Sequence, residues 1–466
     1  MKGMPCAAGR NGGMRMDVLM AVTTVFLLGT GVFFLIRLRC FPLRHPLVCM
    51  RAVLRPPKTA GKDGRAIKPL SGLLMALAGT LGVGNIVGVA SALRLGGPGA
   101  VLWMIISGLA ASVLKYVEIV LAVRHRRTLP DGGFCGGAPY YIADSLASRH
   151  RARAGRVCGV VFAVFCLVNC LTMGSVLQVN AAAGALSGAF GIPPLLTGGL
   201  LALVTAVIAC GGSRRIASLT EKLVPVMTVI FIGLCAAVLI LRRDRLPGAA
   251  VSVVRGAFDL RSAGAGLLGT AAARAMRVGT VRGLVSNEAG SGTAPMAHAA
   301  AETDSPAAQG LLGIAEVLVD TVLLCTVTAF AILVSDSGPA AGADGTSCAR
   351  YAFTSVLGEG AGTVFALCIL FFAAATVFCQ THYGHTCADY LSASLCPGIG
   401  ARGQGRARAG VTVLLCAALM FGSCAAPALC WTLADTAVCL MTLMNLVFLF
   451  LCRREAAEET ERLLQQ

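Results

Sequence analysis

Two glycine-rich strings inside apolar stretches hold the residue types most able to do chemistry. The first is Gly79-Thr80-Leu81-Gly82-Val83-Gly84-Asn85-Ile86-Val87-Gly88. Each glycine in a helix interior costs about 1 kcal/mol relative to alanine, so a continuous helix is not expected here. Backbone freed from a helix inside hydrocarbon must find partners in protein or in a water-lined cavity. The chemistry this permits is binding. Half-helix N-termini suit a carboxylate, and unwound carbonyls suit a hard cation. A helix-packing motif of small residues is the alternative, and Gly84 with Gly88 fits its spacing. Thr80 and Asn85 add polarity that packing does not require.

The second string is Ser286-Asn287-Glu288-Ala289-Gly290-Ser291-Gly292-Thr293-Ala294-Pro295, followed by Met296-Ala297-His298. Glu288 reads as a cation ligand, a proton carrier or a hydrogen-bond hub, because an ionisable residue within a span is a functional candidate. His298, at the end of the segment, reads as facing water, and Arg282 as snorkelling to the interface. Glu118 and Asp320 are lone carboxylates within apolar helices and read as clamps on the broken segments. Lys115, three residues before Glu118, is its expected partner. Gln178 and Asn180, and Thr376 with Gln380, are placed to line a cavity, although a helix–helix hydrogen bond explains each one singly. The two strings also echo each other. Asn85 precedes Glu118 by thirty-three residues, and Asn287 precedes Asp320 by the same number.

Elements that position such strings must cross a bilayer. The chain has 466 residues, 56% hydrophobic and 13% charged, against about 25% charged in a soluble protein. Its mean hydropathy is +0.78. The reading is an all-α polytopic membrane protein with about eleven spanning segments of roughly 20 residues, near 17–37, 70–93, 99–123, 157–180, 194–210, 219–241, 279–301, 308–334, 361–385, 409–426 and 429–452. One integral domain is expected over 1–466. It comprises an extra helix and basic linker (1–69), a first half (70–241), a second half with its leading loop (242–452) and a charged tail (453–466).

The net charge of +17 follows the positive-inside rule rather than a nucleic-acid surface. Basic residues crowd the linker 37–68, the loop 124–156, Arg214 and Arg215, and Arg402, Arg406 and Arg408. This pattern puts the N-terminus outside and the C-terminus in the cytoplasm of a cell (inner or plasma) membrane. The loop 242–261 dissents, because it should be external yet holds Arg242, Arg243, Arg245, Arg255 and Arg261. The tail reads as a solvated helix. The twenty cysteines lie mostly in apolar runs and read as small packing residues. No enzyme signature stands up. The loop Asp131-Gly132-Gly133-Phe134-Cys135-Gly136-Gly137 lacks the Lys-Ser/Thr of a phosphate-binding loop.

These strings resemble the alanine or glycine:cation symporters, the sodium:alanine symporter family. The resemblance lies in Gly79–Ala90, Gly96-Gly97-Pro98-Gly99-Ala100, Tyr140-Tyr141-Ile142 and Glu221-Lys222-Leu223-Val224-Pro225. It extends to Ser286-Asn287-Glu288-Ala289-Gly290, to His298-Ala299-Ala300-Ala301 and to Trp431, Asp435, Met441 and Asn445. It implies an inverted-repeat, leucine-transporter-like core with two discontinuous helices. The implied activity is secondary active symport of a small neutral amino acid, alanine or glycine, by alternating access. It also implies no cofactor, Na⁺ as coupling ion with H⁺ as the alternative, and a monomer in the lipid bilayer.

By the same resemblance the amino acid contacts Val83, Gly84, Asn85, Ser286, Asn287, Glu288, Ala289, Gly290, Thr376 and Gln380, and Gln178 joins them as a cavity-lining residue read from the sequence. Na⁺ is the only metal implied, held by Ala78, Leu81, Phe372 and Thr376. The chain departs from the family at two places. Ala375-Thr376 stands where paired hydroxyls are usual, and Gln380 where Trp is usual. A more polar substrate, a weaker cation site or a transport-deficient sensor of the same fold are the alternatives these departures raise.

Overall fold

The computed structural model describes residues 7–44, 67–129, 132–258, 271–336 and 344–465. Most of the basic linker, Asp131 and Arg261 lie outside the described residues. The first helix, α1, is Ala7–Arg37. The first glycine-rich string follows as two short helices, α2 (Pro69–Thr80) and α3 (Val87–Gly96). Then come α4 (Gly99–Arg124), α5 (Ala138–Ala147), α6 (Ala152–Phe190), α7 (Pro194–Ala209) and α8 (Gly212–Leu241).

The second half begins with α9 (Leu246–Phe258) and a second interrupted pair, α10 (Ala271–Asn287) and α11 (Pro295–Ala299). It continues with α12 (Pro306–Val334), α13 (Gly345–Leu357), α14 (Glu359–Leu395), α15 (Ala401–Cys424), α16 (Pro427–Leu451) and α17 (Arg453–Leu464). Eight of these helices are long and apolar enough to span a bilayer among the described residues. The segments read as 70–93 and 279–301 are interrupted, and α7 has 16 residues. The fourth and ninth spans are much longer than 157–180 and 361–385, at 39 and 37 residues.

Local chemistry sets the boundaries. Proline stands in the first turn of α2, α7, α12 and α16, where its missing N–H loses nothing. Ser305 and Asp344 cap α12 and α13 by accepting from the amides of Ala308 and Ser347. Two helices carry a π turn, at Thr172–Val176 in α6 and Leu318–Cys325 in α12. Such turns free backbone groups and often sit at functional positions. Ser175 Oγ and Gln178 Nε2 donate to the carbonyls five residues back, those of Cys170 and Met173.

The core forms around α4, whose apolar span is 78% buried, whereas that of α8 is 28% buried. Leu195, Leu196, Leu200 and Leu203 on α7, and Val226, Val229 and Ile230 on α8, are exposed, as helix faces turned to lipid tails would be. The described cysteines are all free. The basic loop 242–261 is largely helical. Arg242 and Arg245 both pair with Asp336, so part of its charge is compensated within the protein.

The tail is not merely solvated, because α17 docks on the end of α4. Arg124 Nη1 lies 2.9 Å from Glu459 Oε1, and Tyr116 Oη lies 2.9 Å from Thr460 Oγ1. His125 sits between Asp144 Oδ2 (3.0 Å) and Glu455 Oε2 (2.8 Å). Burial alone would depress the His125 imidazole. Hydrogen bonds to Asp144 and Glu455 outweigh it and hold the ring up at about 9.

Candidate substrate and cation site

Both glycine-rich strings unwind side by side in the centre of the molecule. Between α2 and α3 the chain makes one 3₁₀ turn, Val83–Asn85. Between α10 and α11 it runs unwound from Glu288 to Ala294. Gly290 has φ +86°, a conformation glycine adopts without penalty. Glu288 has φ +51°, which costs a side-chain-bearing residue about 1–3 kcal/mol and marks a site over-determined by its surroundings.

Those surroundings are two carboxylates and an amide. Asp320 accepts from Asn85 Nδ2 (2.5 Å), from Ser286 Oγ (2.7 Å) and from Thr321 Oγ1 (2.8 Å). Glu118 accepts from the Gly290 amide (3.0 Å) and from Asn445 Nδ2 (2.5 Å). Asn445 also donates to the Gly290 carbonyl (2.9 Å), and its own oxygen accepts from Tyr141 Oη (2.5 Å). Both carboxylates therefore clamp the breaks, as expected, but the wiring is crossed. Glu118, in the first half, holds the second break, and Asp320, in the second half, holds Asn85 of the first as well as Ser286 of its own.

Glu288 acts as a hub. Its Oε2 accepts from Thr293 Oγ1 (2.5 Å) and its Oε1 from Gln380 Nε2 (2.7 Å). Asn287 Oδ1 accepts from the Ala289 amide (2.9 Å), while its Nδ2 donates to Thr321 Oγ1 (3.1 Å). Gln178 Oε1 accepts from the Val83 amide (3.0 Å). Gly82 allows this approach, since a Cβ there would stand 2.7 Å from Thr376 Oγ1 and 2.9 Å from Gln178 Oε1. Gly84 lies against Ser286, 3.4 Å from its Cα by the same construction. Thr376 Oγ1 donates to the Ala78 carbonyl (3.0 Å), and Phe372 stands one turn before it on α14. Leu81, at the end of α2, is fully buried, as is Ala375.

Most of the expected contact residues therefore meet around one buried centre, whereas the Ala289 methyl packs with Ala111 and Val317 and Gly290 lies against Leu27, Leu114 and Leu446. Asn85 Oδ1 and Gln380 Oε1 are buried without a partner among the described residues. Asn180 does not join them; its amide bridges the carbonyls of Gly422 and Ala425.

Three expectations need correcting. Lys115 pairs with Glu316, 3.1 Å away on α12, rather than with Glu118. His298 is fully buried rather than facing water. Arg282 does not snorkel. It forms a bidentate ion pair with Asp435 (2.5 and 3.0 Å) with its guanidinium 4.0 Å from the Trp431 ring centre.

Cavities lie to either side of the centre. One of about 540 Å³ is lined by Arg282, Trp431, Asp435 and Arg277. The other, of about 260 Å³, is lined by Met296, His382, Arg214 and Arg408. No cluster of three metal-ligating His, Cys, Asp or Glu side chains occurs among the described residues.

Paired interrupted helices, a buried polar centre and flanking cavities define a secondary transporter rather than an enzyme. MhsT, solved in complex with L-phenylalanine, superposes with a TM-score of 0.56 at 13% identity, covering 82% of this chain and 89% of its own. That likeness shows the fold. The sodium:alanine symporter family is matched over residues 13–466, and the chain belongs to it.

Among relatives, the sodium/alanine symporter AgcS of Methanococcus maripaludis is 33% identical, over 94% of this chain and 93% of its own. A Bacillus subtilis protein named as a probable sodium/glutamine symporter, GlnT, is 35% identical over 92% and 84%. A Haemophilus influenzae uncharacterized transporter is 32% identical over 95% and 93%. The protein is a multi-pass amino-acid:cation symporter.

Proposed function

We propose that this chain takes up a small neutral amino acid together with Na⁺ by alternating access. The observation that carries the reading is the meeting of Thr376 Oγ1 with the Ala78 carbonyl, 3.0 Å apart, at the end of a helix that unwinds beside the second break. On this reading Na⁺ takes the carbonyls of Ala78, Leu81 and Phe372 and the Thr376 hydroxyl, oxygens of the kind a hard cation prefers. Ala375 adds no further hydroxyl. The cation offsets the carbonyl dipoles and orders the first break. The amino acid then binds between Val83–Asn85 and Ser286–Gly290, closed by Gln178, Thr376 and Gln380. The two cavities are the opposite approaches to it. The basic residues Arg124, Arg214 and Arg408, with α17 beside them, support a cytoplasmic end there and an N-terminus outside.

A second reading concerns the substrate. Gln380 offers an unpaired oxygen where the family resemblance leads one to expect a ring. A buried acceptor left unpaired costs about 1–3 kcal/mol, which a donor on the substrate would recover. The relative named as a sodium/glutamine symporter supports a side-chain amide or hydroxyl. Uptake of alanine, glycine, serine and glutamine into proteoliposomes, with and without a Na⁺ gradient, tests both readings. Saturable uptake that needs the gradient is expected. Flux that neither saturates nor follows Na⁺ would sink symport, and alanine preferred over serine and glutamine would sink the polar-substrate reading.

A further inference from the structure

A groove of about 370 Å³ runs between α1 and α16, apart from the centre described above. Its α1 wall carries Phe26, Gly29 and Phe33, and its α16 wall Leu446, Val447 and Phe450. Spacings of three and four make each set one stripe of its helix. Thr30 brings the only side-chain hydroxyl. The groove opens outward, because Phe26 and Val447 are half exposed. No atom lies within 4 Å of where a Cβ on Gly29 would stand. In a multi-pass membrane protein this opening faces lipid.

Both walls continue into a basic pocket at one end. On the first, Arg37 stands one turn beyond Phe33. Arg39 and Cys40 then take left-handed φ of +52° and +55°. After that turn Arg44 lines the same pocket, of about 220 Å³, as Arg37 and Arg39. On the second wall, the Phe450 ring centre lies 4.6 Å from that of Phe33, and the Arg453 guanidinium stands 4.9 Å from the Phe450 ring. Arg453 shares a face of α17 with Ala457, Thr460, Glu461 and Leu464, which close the pocket. Among the described residues, none of Arg37, Arg39, Arg44 and Arg453 pairs with a carboxylate. Glu455, Glu458 and Glu459 of α17 pair instead with Arg124, and Glu461 is the one acidic residue lining the pocket.

We propose that groove and pocket together form a site for an anionic phospholipid, its acyl chain along Phe26–Phe33 and its phosphate among the arginines. Length fits this occupant. Phe26 precedes Arg37 by eleven residues, about 16 Å of helix, and the hydrocarbon of one leaflet is about 15 Å deep, half of the bilayer core. Charge fits it too. Basic pockets beside membrane helices attract anionic headgroups, and a guanidinium presents paired donors to phosphate oxygens. The apolar groove supplies what a soluble anion has no use for.

Other occupants fit less well. The linker 45–66 carries Arg51, Arg55, Lys58, Lys62 and Arg65 against Asp63 alone, the same sign as the pocket. A second copy docked about a two-fold axis would bring the two arginine clusters toward each other. The site lies apart from the interrupted helices, so the proposal stands independently of the solute that is carried.

The test is native mass spectrometry of the full chain in detergent, titrated with phosphatidylglycerol or with phosphatidylcholine of the same acyl chains. Each arginine near an anionic headgroup contributes about fivefold in affinity, so phosphatidylglycerol is expected to bind more tightly by about tenfold or more. Arg37→Gln, Arg39→Gln and Arg44→Gln combined are expected to abolish that preference. Gly29→Trp fills the groove and is expected to weaken both lipids without lowering the unfolding temperature of the lipid-free protein; Gly29→Leu serves if the tryptophan variant does not fold. Equal binding of the two lipids by wild type, a preference that survives the arginine variant, or lipid binding indifferent to both Gly29 variants overturns the proposal. Inorganic phosphate that competes as well as the lipid at matched ionic strength would reveal a free-anion site, and overturns it too. A dimer that lipid does not dissociate would make a second copy the occupant. Neither lipid bound, with lipid-free Gly29→Trp destabilised, would make the linker the occupant. Either result overturns it.

Discussion

Arg282 and Asp435 close on each other through two hydrogen bonds of 2.5 and 3.0 Å, both side chains 4% exposed, on the floor of the larger cavity. Removing one partner of a buried pair leaves an uncompensated charge, costing about 3–5 kcal/mol, whereas removing both is far milder. Asp435→Asn is therefore expected to lower the unfolding temperature in detergent more than Arg282→Gln combined with Asp435→Asn. An additive double variant would contradict this coupling. Arg282→Lys keeps the charge but not the planar fork or the contact with Trp431, and is expected to be intermediate.

Gly82 faces two polar atoms of the centre at distances no methyl group tolerates. Gly82→Ala is expected to displace Thr376 or Gln178 and reduce uptake at least tenfold, about 1.4 kcal/mol of lost stabilisation, while the protein still folds. Radiolabelled uptake normalised to reconstituted protein measures this, and wild-type uptake would show that the approach of Thr376 to the first break is dispensable.

Glu118 accepts from two donors, the Gly290 amide and Asn445. Glu118→Gln keeps the shape but turns one oxygen into a donor facing a donor. A buried mismatch of this kind costs about 1–3 kcal/mol, so a drop in thermal stability is expected. Glu118→Gln combined with Asn445→Asp restores the match between the two side chains but loses the donor to the Gly290 carbonyl, so partial recovery relative to either single variant is expected and checks the geometry.

The docking of α17 should depend on pH. His125 is held up at about 9 between Asp144 and Glu455, above an ordinary imidazole near 6.5. A raised folded-state value adds stability that is fully present below the unfolded value and is lost as pH rises through the folded one. Docking should therefore be firm at neutral pH and weaken as pH climbs through about 9. Proteolysis within α17 across that range measures it. His125→Gln is expected to flatten the profile.

Legibility from sequence follows the range of the interaction. The two breaks at 79–88 and 286–295 could be read because glycine, proline and a stranded polar residue are local features of a span. The roles of Glu118 and Asp320 as clamps were legible because a carboxylate in an apolar helix needs donors. Which donors was not legible, since Glu118 finds its partners at Gly290 and Asn445, far along the chain. Lys115 illustrates the same limit: a partner three residues away competed with Glu316, two hundred residues on, and lost to tertiary packing. His298 looked terminal because its helix is only one turn long, and α12 and the start of α2 cover it. The thirty-three-residue echo located both carboxylates but not their exchange of partners.

That exchange has a further consequence. Because the carboxylate of each half is tied to the other half's unwound segment, the two interrupted helices form a closed mechanical circuit. Neither can change its pitch without pulling on the side chain that holds its counterpart. Two separate hinges would permit four arrangements of the core, whereas a shared tether favours moving both together, so a half-open state that leaks ions is the arrangement this wiring penalises.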